Sequence, residues 1–107
     1  MSMALFARTP STDPRSLSDR LDQVHILDVR QPSEWRLGHI RGSHNVSLMQ
    51  LKSRHGALPR GKTIVTVCAS GHRSAAAARA LQRAGYTVEN LKGGMHAWAR
   101  AGLPTRR

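Results

Sequence analysis

Short apolar runs alternate along the chain with segments in which apolar residues recur every three or four positions. The runs predict strands of about five residues at His25–Val29, Ser43–Val46, Thr63–Val67 and Tyr86–Leu91, with an edge strand near Leu5–Arg8. Strands that alternate with helices indicate an α/β fold with a mainly parallel sheet. In such a sheet, ligands bind beyond the carboxyl ends of the strands.

The segments between the strands carry helix signals, namely apolar spacing together with capping residues, glycine and proline. They predict a short helix with Leu17, Leu21 and Val24, one or two turns over Pro32–Leu37, a helix with Leu48, Leu51 and Leu58, and helices over Ser74–Ala84 and Met95–Ala101. The sequence shows no internal repeat or linker. A single domain is therefore expected over residues 1–107, with residues 1–12 loosely held.

Composition and charge narrow the classes of partner. The 107 residues carry a net charge of +11, but the basic residues are dispersed, and only two Trp, one Tyr and one Phe are available to stack on bases. We therefore expect no nucleic-acid partner and interpret the charge as a field that attracts small anions and acidic proteins. No stretch is long enough to span a membrane, no signal peptide is evident, and one cysteine cannot form an intrachain disulfide. A cytoplasmic location without a membrane partner is expected.

Cys68, the single cysteine, follows the predicted strand Thr63–Val67 and precedes a predicted helix. Its simplest interpretation is a small hydrophobic residue that completes a buried strand. However, the residues after it, Ala69 to Ser74, would not continue a core. A sulfur at a helix N-terminus lies near unpaired N–H groups and the positive end of the helix dipole, which favour thiolate. Gly71 allows the chain to curl, and Arg73 adds positive charge. Together these residues predict an anion cradle around a nucleophile.

Other polar residues are weaker candidates. Asp28 and Arg30 flank the end of a predicted strand, and each could attract substrate or orient a loop, or could form an ion pair that ties the strand to a neighbouring loop. We expect the structural role for Asp28, and the pattern leaves both roles open for Arg30. His72 has no evident catalytic task. The six histidines are dispersed without metal-ligand spacing, so neither a metal nor a cofactor is expected.

The chain resembles the single-domain rhodaneses, a family of sulfurtransferases. The similarity runs from about His25 to Pro104 and rests on an ordered set of short motifs: Ile26-Leu27-Asp28-Val29-Arg30, Glu34-Trp35, Gly38-His39-Ile40, Cys68-x-x-Gly71-x-Arg73-Ser74 and Gly93-Gly94-Met95-x-Ala97-Trp98. The resemblance implies a three-layer fold in which helices flank a five-stranded, mainly parallel sheet.

The resemblance also implies a thiosulfate sulfurtransferase-like enzyme in which Cys68 carries sulfur as a persulfide. The substrate-binding residues would be Ala69, Ser70, Gly71, His72, Arg73 and Ser74, with Arg30 nearby. The expected partners are a small anionic sulfur donor such as thiosulfate and a thiophilic acceptor, which is cyanide in vitro and glutathione or a thioredoxin-like protein in the cell. The residue after the cysteine is often basic in members that use thiosulfate, and here it is Ala69.

Two alternatives remain open. A cysteine-based phosphatase or arsenate reductase would use a Cys-x5-Arg loop, whereas only four residues separate Cys68 from Arg73, which leaves a smaller bowl. A non-catalytic binding module on the same scaffold would not need the cysteine, glycine and arginine together. The pattern does not determine the physiological donor, the acceptor or the oligomeric state.

Overall fold

The computed structural model describes residues 8–54 and 57–107. Its centre is a five-stranded sheet in the order β1-β5-β4-β2-β3, and every neighbouring pair is parallel. The strands are β1 (Ser11–Thr12), β2 (His25–Asp28), β3 (His44–Asn45), β4 (Ile64–Val67) and β5 (Val88–Leu91). The predicted α/β fold with a five-stranded sheet is confirmed, and the sheet is parallel throughout rather than mainly parallel.

Helices cover both faces of the sheet. They are α1 (Pro14–Ser18), α2 (Pro32–Arg36), α3 (Leu48–Arg54), α4 (His72–Arg83) and α5 (Gly94–Arg100). One core lies between the sheet and α3 and α4, and a second lies between the sheet and α1 and α5. Successive side chains of β4 alternate between the two, so Ile64 and Cys68 belong to the first core and Val65 and Val67 to the second.

The first helix and the edge strand differ from their predictions. Asp13 caps α1 by accepting a hydrogen bond from Ser16 N at 2.9 Å, but the helix ends at Ser18, and Leu21–Gln23 forms a separate 3₁₀ turn. Residues 5–7 of the predicted edge strand lie outside the described residues, and Arg8 is not in a strand. The edge strand is β1, because Pro10 O and Thr12 O accept hydrogen bonds from the backbone of β5 and the residue after it.

The element that positions the candidate site is β4, the middle strand of the sheet. Its carboxyl end leads into Cys68, and α4 begins at His72, two residues earlier than predicted. The helix starts early because Gly71, with φ of 102°, turns the chain directly into it. No helix within the described residues is long and apolar enough to cross a bilayer.

Candidate active site

The sulfur of Cys68 lies at the carboxyl edge of the sheet, enclosed by the start of α4. Cys68 has no exposed surface. Its Sγ accepts hydrogen bonds from Gly71 N at 3.1 Å, from Ser74 N at 3.3 Å and from Ser74 Oγ at 3.3 Å. Gly71 N and Ser74 N belong to the cap and first turn of a helix, where amides have no carbonyl partner within the helix. The sulfur takes the place of that partner.

This environment changes the acidity of the thiol. Burial by itself raises the pKa of Cys68, because desolvation disfavours the charged form. The hydrogen bonds from Ser74 Oγ and from the backbone N–H groups of Ser74, Gly71 and Ser70 act in the opposite direction and outweigh burial. The pKa of Cys68 therefore lies below its ordinary value of 9.0, which favours the thiolate form.

The Gly93-Gly94 pair brings α5 against the cysteine loop. Met95 N donates to Cys68 O at 2.8 Å, and His96 N donates to Ala69 O at 3.0 Å. A Cβ atom at Gly94 would overlap the Cys68 carbonyl oxygen and approach Ala69 O to 2.6 Å. Only a residue without a side chain allows this approach, so the first amides of α5 can fix the backbone at Cys68 and Ala69.

Two polar side chains, one buried and one partly buried, support the loop from the sheet. Thr66, in β4, donates from Oγ1 to Ser74 O at 3.0 Å, and its Oγ1 also lies 3.2 Å from Asn90 Oδ1. Asn90, in β5, donates from Nδ2 to Gly71 O at 3.2 Å. Gly71 and Ser74 are the residues whose amides contact the sulfur. The Thr66–Asn90 pair therefore holds the carbonyl side of both residues while their amides point towards Sγ.

Arg73 is paired with a residue that the sequence analysis did not assign to the site. Its two terminal nitrogens donate to the two carboxylate oxygens of Glu34 in α2, at 2.8 and 3.0 Å. The hydrogen bonds from Arg73 lower the pKa of Glu34 from 4.5 to about 2. They also raise the pKa of Arg73, with a smaller contribution from Cys68. The positive charge of Arg73 at the loop is thus largely compensated by Glu34.

Arg30 serves mainly to connect β2 to α2. It is 7% exposed, and its side chain makes a bidentate ion pair with Asp28, with Nη2–Oδ2 at 2.7 Å. The same Nη2 donates to Gly38 O at 2.8 Å. Of the two roles left open by the sequence, these contacts favour the structural one, because the donors of Arg30 are already used within the protein. Its assignment to substrate binding stays a prediction without a supporting contact.

The remaining predicted loop residues surround Cys68 without contacting its sulfur through their side chains. Ser70 and His72 are exposed, and Ser70 Oγ lies 3.1 Å from His72 Nδ1. Ala69 is partly buried and presents only a methyl group. The structure therefore brings Ala69 to Ser74 into one short loop, in which Gly71 and Ser74 supply the groups that bind sulfur.

Three contributors were absent from the sequence-based set of site residues, namely Glu34, Thr66 and Asn90. The signal for Thr66 was a polar residue inside a predicted strand whose neighbours are apolar, since buried polar groups require hydrogen-bond partners. Asn90 follows the charged Glu89 in its strand and carried no such signal. The partner of Arg73 had no local signal, because 39 positions separate it from Glu34.

Comparison with known proteins supports the resemblance to the rhodaneses that the sequence motifs indicate. The rhodanese-like domain model matches residues 13–101. The chain is 38% identical to a sulfurtransferase of Allochromatium vinosum, with 86% of this chain and 90% of the relative covered. It is 38% identical to thiosulfate sulfurtransferase 16 of Arabidopsis thaliana, a chloroplastic protein, with 97% and 99% covered. It is also 36% identical to a probable adenylyltransferase/sulfurtransferase, MoeZ, of Mycobacterium tuberculosis, but spans only 26% of that relative's length.

The fold is also similar to that of a solved rhodanese-related protein. A crystal structure of a rhodanese-related protein from Thermoplasma volcanium superposes with a TM-score of 0.88 at 32% identity, covering 91% of this chain and 97% of the other. The cysteine loop, the parallel sheet and these similarities agree with one another. The chain belongs to the rhodanese-like domain family, and the relatives that it matches include named sulfurtransferases.

Proposed function

We propose that this protein transfers a sulfane sulfur from an anionic donor such as thiosulfate to a thiol, through a persulfide on Cys68. The observation that carries the proposal is the set of three hydrogen bonds that Gly71 and Ser74 donate to the Sγ of the buried Cys68. Only four residues separate Cys68 from Arg73 in this loop. A bowl of this size suits one additional sulfur atom better than a phosphoryl group. The name of the Arabidopsis relative supports thiosulfate as one donor.

The reaction would proceed in two displacements. The Cys68 thiolate attacks the outer sulfur of thiosulfate, the S–S bond of the donor breaks, and sulfite leaves with the electron pair. An acceptor thiolate then attacks the terminal sulfur of the persulfide. The bond between Sγ and that sulfur breaks, its electron pair returns to Sγ, and the acceptor departs as a persulfide. Covalent capture divides one difficult transfer into two easier ones.

The hydrogen-bond donors contribute to both displacements. Cys68 is the attacking thiolate in the first step and the leaving thiolate in the second. The donors on Gly71 and Ser74 are already oriented towards Sγ, so they stabilise the anion without rearrangement. Because the chain has no second cysteine, no disulfide within it can release the sulfur, and an external acceptor such as glutathione or a thioredoxin-like protein is required.

Two features bear on the choice of donor. Glu34 compensates the charge of Arg73, and Ala69 adds none, so a dianionic donor relies on the overall positive charge and on the N-terminus of α4. Cys68 is also fully buried, whereas the outer sulfur of a persulfide extends about 2 Å beyond Sγ. We therefore expect the loaded form to react with acceptors more readily than the free thiolate reacts with bulky reagents.

Mass spectrometry tests the proposal directly. After exposure to thiosulfate, the intact protein should gain about 32 Da, the mass of one sulfur atom, and glutathione, a reduced thioredoxin or cyanide should remove it. The Cys68→Ser variant should gain nothing. An equal gain by the variant would show that Cys68 is not the carrier. Rapid hydrolysis of an aryl phosphate by the wild type would instead favour the phosphatase alternative.

A further inference from the structure

An apolar groove lies on the outer surface between α3 and α4, on the same side of the sheet as Cys68. Its volume is about 400 Å³. The residues that form its floor and rims include Leu48, Leu51, Lys52, Ala76, Ala80 and Ala84. We call this surface the α3–α4 groove.

The groove is open to solvent along α4. Ala76, Ala80 and Ala84 are exposed and recur every four residues, so they form one row of methyl groups along the helix. Side chains this small leave the partly buried Leu48 accessible from outside. On α3, Met49 is 84% exposed one turn before Lys52, and its flexible thioether adapts easily to a partner. An exposed apolar surface of this kind is typical of an interaction site.

The charge around the groove has one sign. Residues 35–88, which include both helices and the cysteine loop, contain nine lysine and arginine residues and no aspartate or glutamate, and of the nine Arg73 is paired with Glu34. Lys52 lies on the α3 rim, and Arg79 and Arg83 follow Ala76 and Ala80 by three positions on the adjoining ridge of α4. Within the described part of the chain, these three cations form no ion pair. An apolar floor between basic rims is complementary to an apolar segment flanked by carboxylates.

The groove begins near the N-terminus of α4, the end of the helix whose first turn contacts the sulfur of Cys68. Ala76 follows Ser74 by two residues, which corresponds to about 3 Å along the helix axis, and the row of alanines then extends for about 12 Å to Ala84. That length matches about two turns of a bound helix. A partner seated there would extend to the N-terminal end of α4, which carries the cysteine loop.

We propose that the α3–α4 groove docks an amphipathic, acidic segment of a protein that delivers sulfur to Cys68 or accepts it. The role of the docked protein rests on the proposed function, whereas the binding itself does not. A second copy of the chain is a poor occupant, because it would bring a net charge of +11 and basic helices of its own against the basic rims.

A designed peptide tests the binding without the chemistry. The probe is a labelled 12-residue peptide with leucines at helical positions i, i+3, i+4 and i+7 and glutamates elsewhere, titrated into the Cys68→Ser protein. Fluorescence anisotropy gives the affinity, and amide chemical shifts locate the site. We expect binding at least about tenfold tighter than that of a scrambled peptide of the same composition, with shifts concentrated on α3 and α4. Salt should weaken it, because exposed charges are screened.

Two matched variants distinguish the effect of a negative charge in the groove from the effect of the same charge elsewhere on the protein. Ala80→Glu places a carboxylate in the groove, and Ala99→Glu adds the same charge at an exposed position of α5, a helix of the opposite layer. The first should weaken peptide binding about tenfold or more, and the second should leave it close to that of the parent protein. Both should keep the sulfur gain from thiosulfate when Cys68 is present.

The other possible results would contradict either the groove proposal or the proposed function. Equal affinity for the scrambled peptide, equal loss in the two variants, or shifts away from α3 and α4 would overturn the groove proposal. A dimer detected by sedimentation and abolished by Ala80→Glu would assign the groove to a second copy, and would also overturn it. If the peptide binds as expected but Cys68 gains no sulfur, the proposed function fails and the docking surface stands.

Discussion

Replacement of Ser74 by alanine isolates one of the three hydrogen bonds that hold the sulfur. Ser74 is fully buried, and its Oγ donates to Cys68 Sγ at 3.3 Å. The substitution removes that donor and retains the Ser74 backbone N–H, which makes its own bond to Sγ at 3.3 Å. The change to the site is therefore restricted to a single contact with the nucleophile.

The magnitude follows from the charge on the acceptor. A hydrogen bond to a charged group contributes about 1.5–3 kcal/mol, and about 1.4 kcal/mol corresponds to a tenfold change in an equilibrium. The hydroxyl stabilises the thiolate more than the thiol, so its loss raises the pKa of Cys68. At a fixed pH below both midpoints, Ser74→Ala should lower the thiolate fraction about 10- to 100-fold. The rate of loading by thiosulfate should fall by the same factor.

The assay is the pH dependence of alkylation by iodoacetamide, a reagent small enough to approach a buried sulfur, supported by the ultraviolet absorbance of the thiolate. Ser70→Ala is the matched control, because Ser70 belongs to the same loop but its hydroxyl contacts His72 Nδ1 rather than the sulfur. The midpoint should move to higher pH in Ser74→Ala and stay at the wild-type value in Ser70→Ala. Urea denaturation establishes that both variants are folded.

One result would refute the reasoning. If Ser74→Ala is folded and its alkylation midpoint coincides with that of the wild type, the hydroxyl does not stabilise the thiolate. The low pKa of Cys68 would then depend on the backbone amides alone.

Three further predictions test the surroundings of the loop. The folded pKa of Glu34, about 2, is below its ordinary value of 4.5, so the stabilisation it provides is complete above pH 4.5 and is lost as the pH falls towards 2. The difference in melting temperature between wild type and Glu34→Gln should accordingly shrink between pH 7 and pH 3, and a constant difference would contradict the ion pair with Arg73. Gly94→Ala and Gly102→Ala share the strain of a positive φ, but only the new methyl group at Gly94 would meet backbone atoms. Gly94→Ala should therefore lower the free energy of unfolding, measured in urea, by about 1–3 kcal/mol more than Gly102→Ala. Equal losses of stability would exclude the proposed overlap. Asn90→Ala should cost about 1–2 kcal/mol and raise the alkylation midpoint of the cysteine, whereas a loss of stability with an unchanged midpoint would limit Asn90 to a structural role.

Much of the fold was predictable because its signals are local. The apolar runs of β2 and β4 and the helix after Cys68 were placed within two residues of their observed bounds. The prediction of the first helix was less accurate. Leu17, Leu21 and Val24 have helical spacing, but the chain leaves the helix at Ser18, and the apolar pattern reports burial rather than continuous helix. The start of α4 was placed two residues too late, because the helix is entered directly from Gly71, which caps it in a left-handed conformation.

The candidate site likewise has a part that local sequence predicts and a part that it does not. Cys68, Gly71 and Ser74 lie within seven consecutive residues, and the fixed geometry of a strand, a tight loop and a helix N-terminus suffices to bring amides to a sulfur. The sequence by itself therefore determined where Cys68 lies and which donors are close to its sulfur. Only the tertiary structure decided three contacts: Glu34 compensates the charge of Arg73, Asn90 hydrogen-bonds Gly71, and Gly94 allows α5 to pack against the loop. These contacts join segments that are adjacent only once the parallel strands have paired.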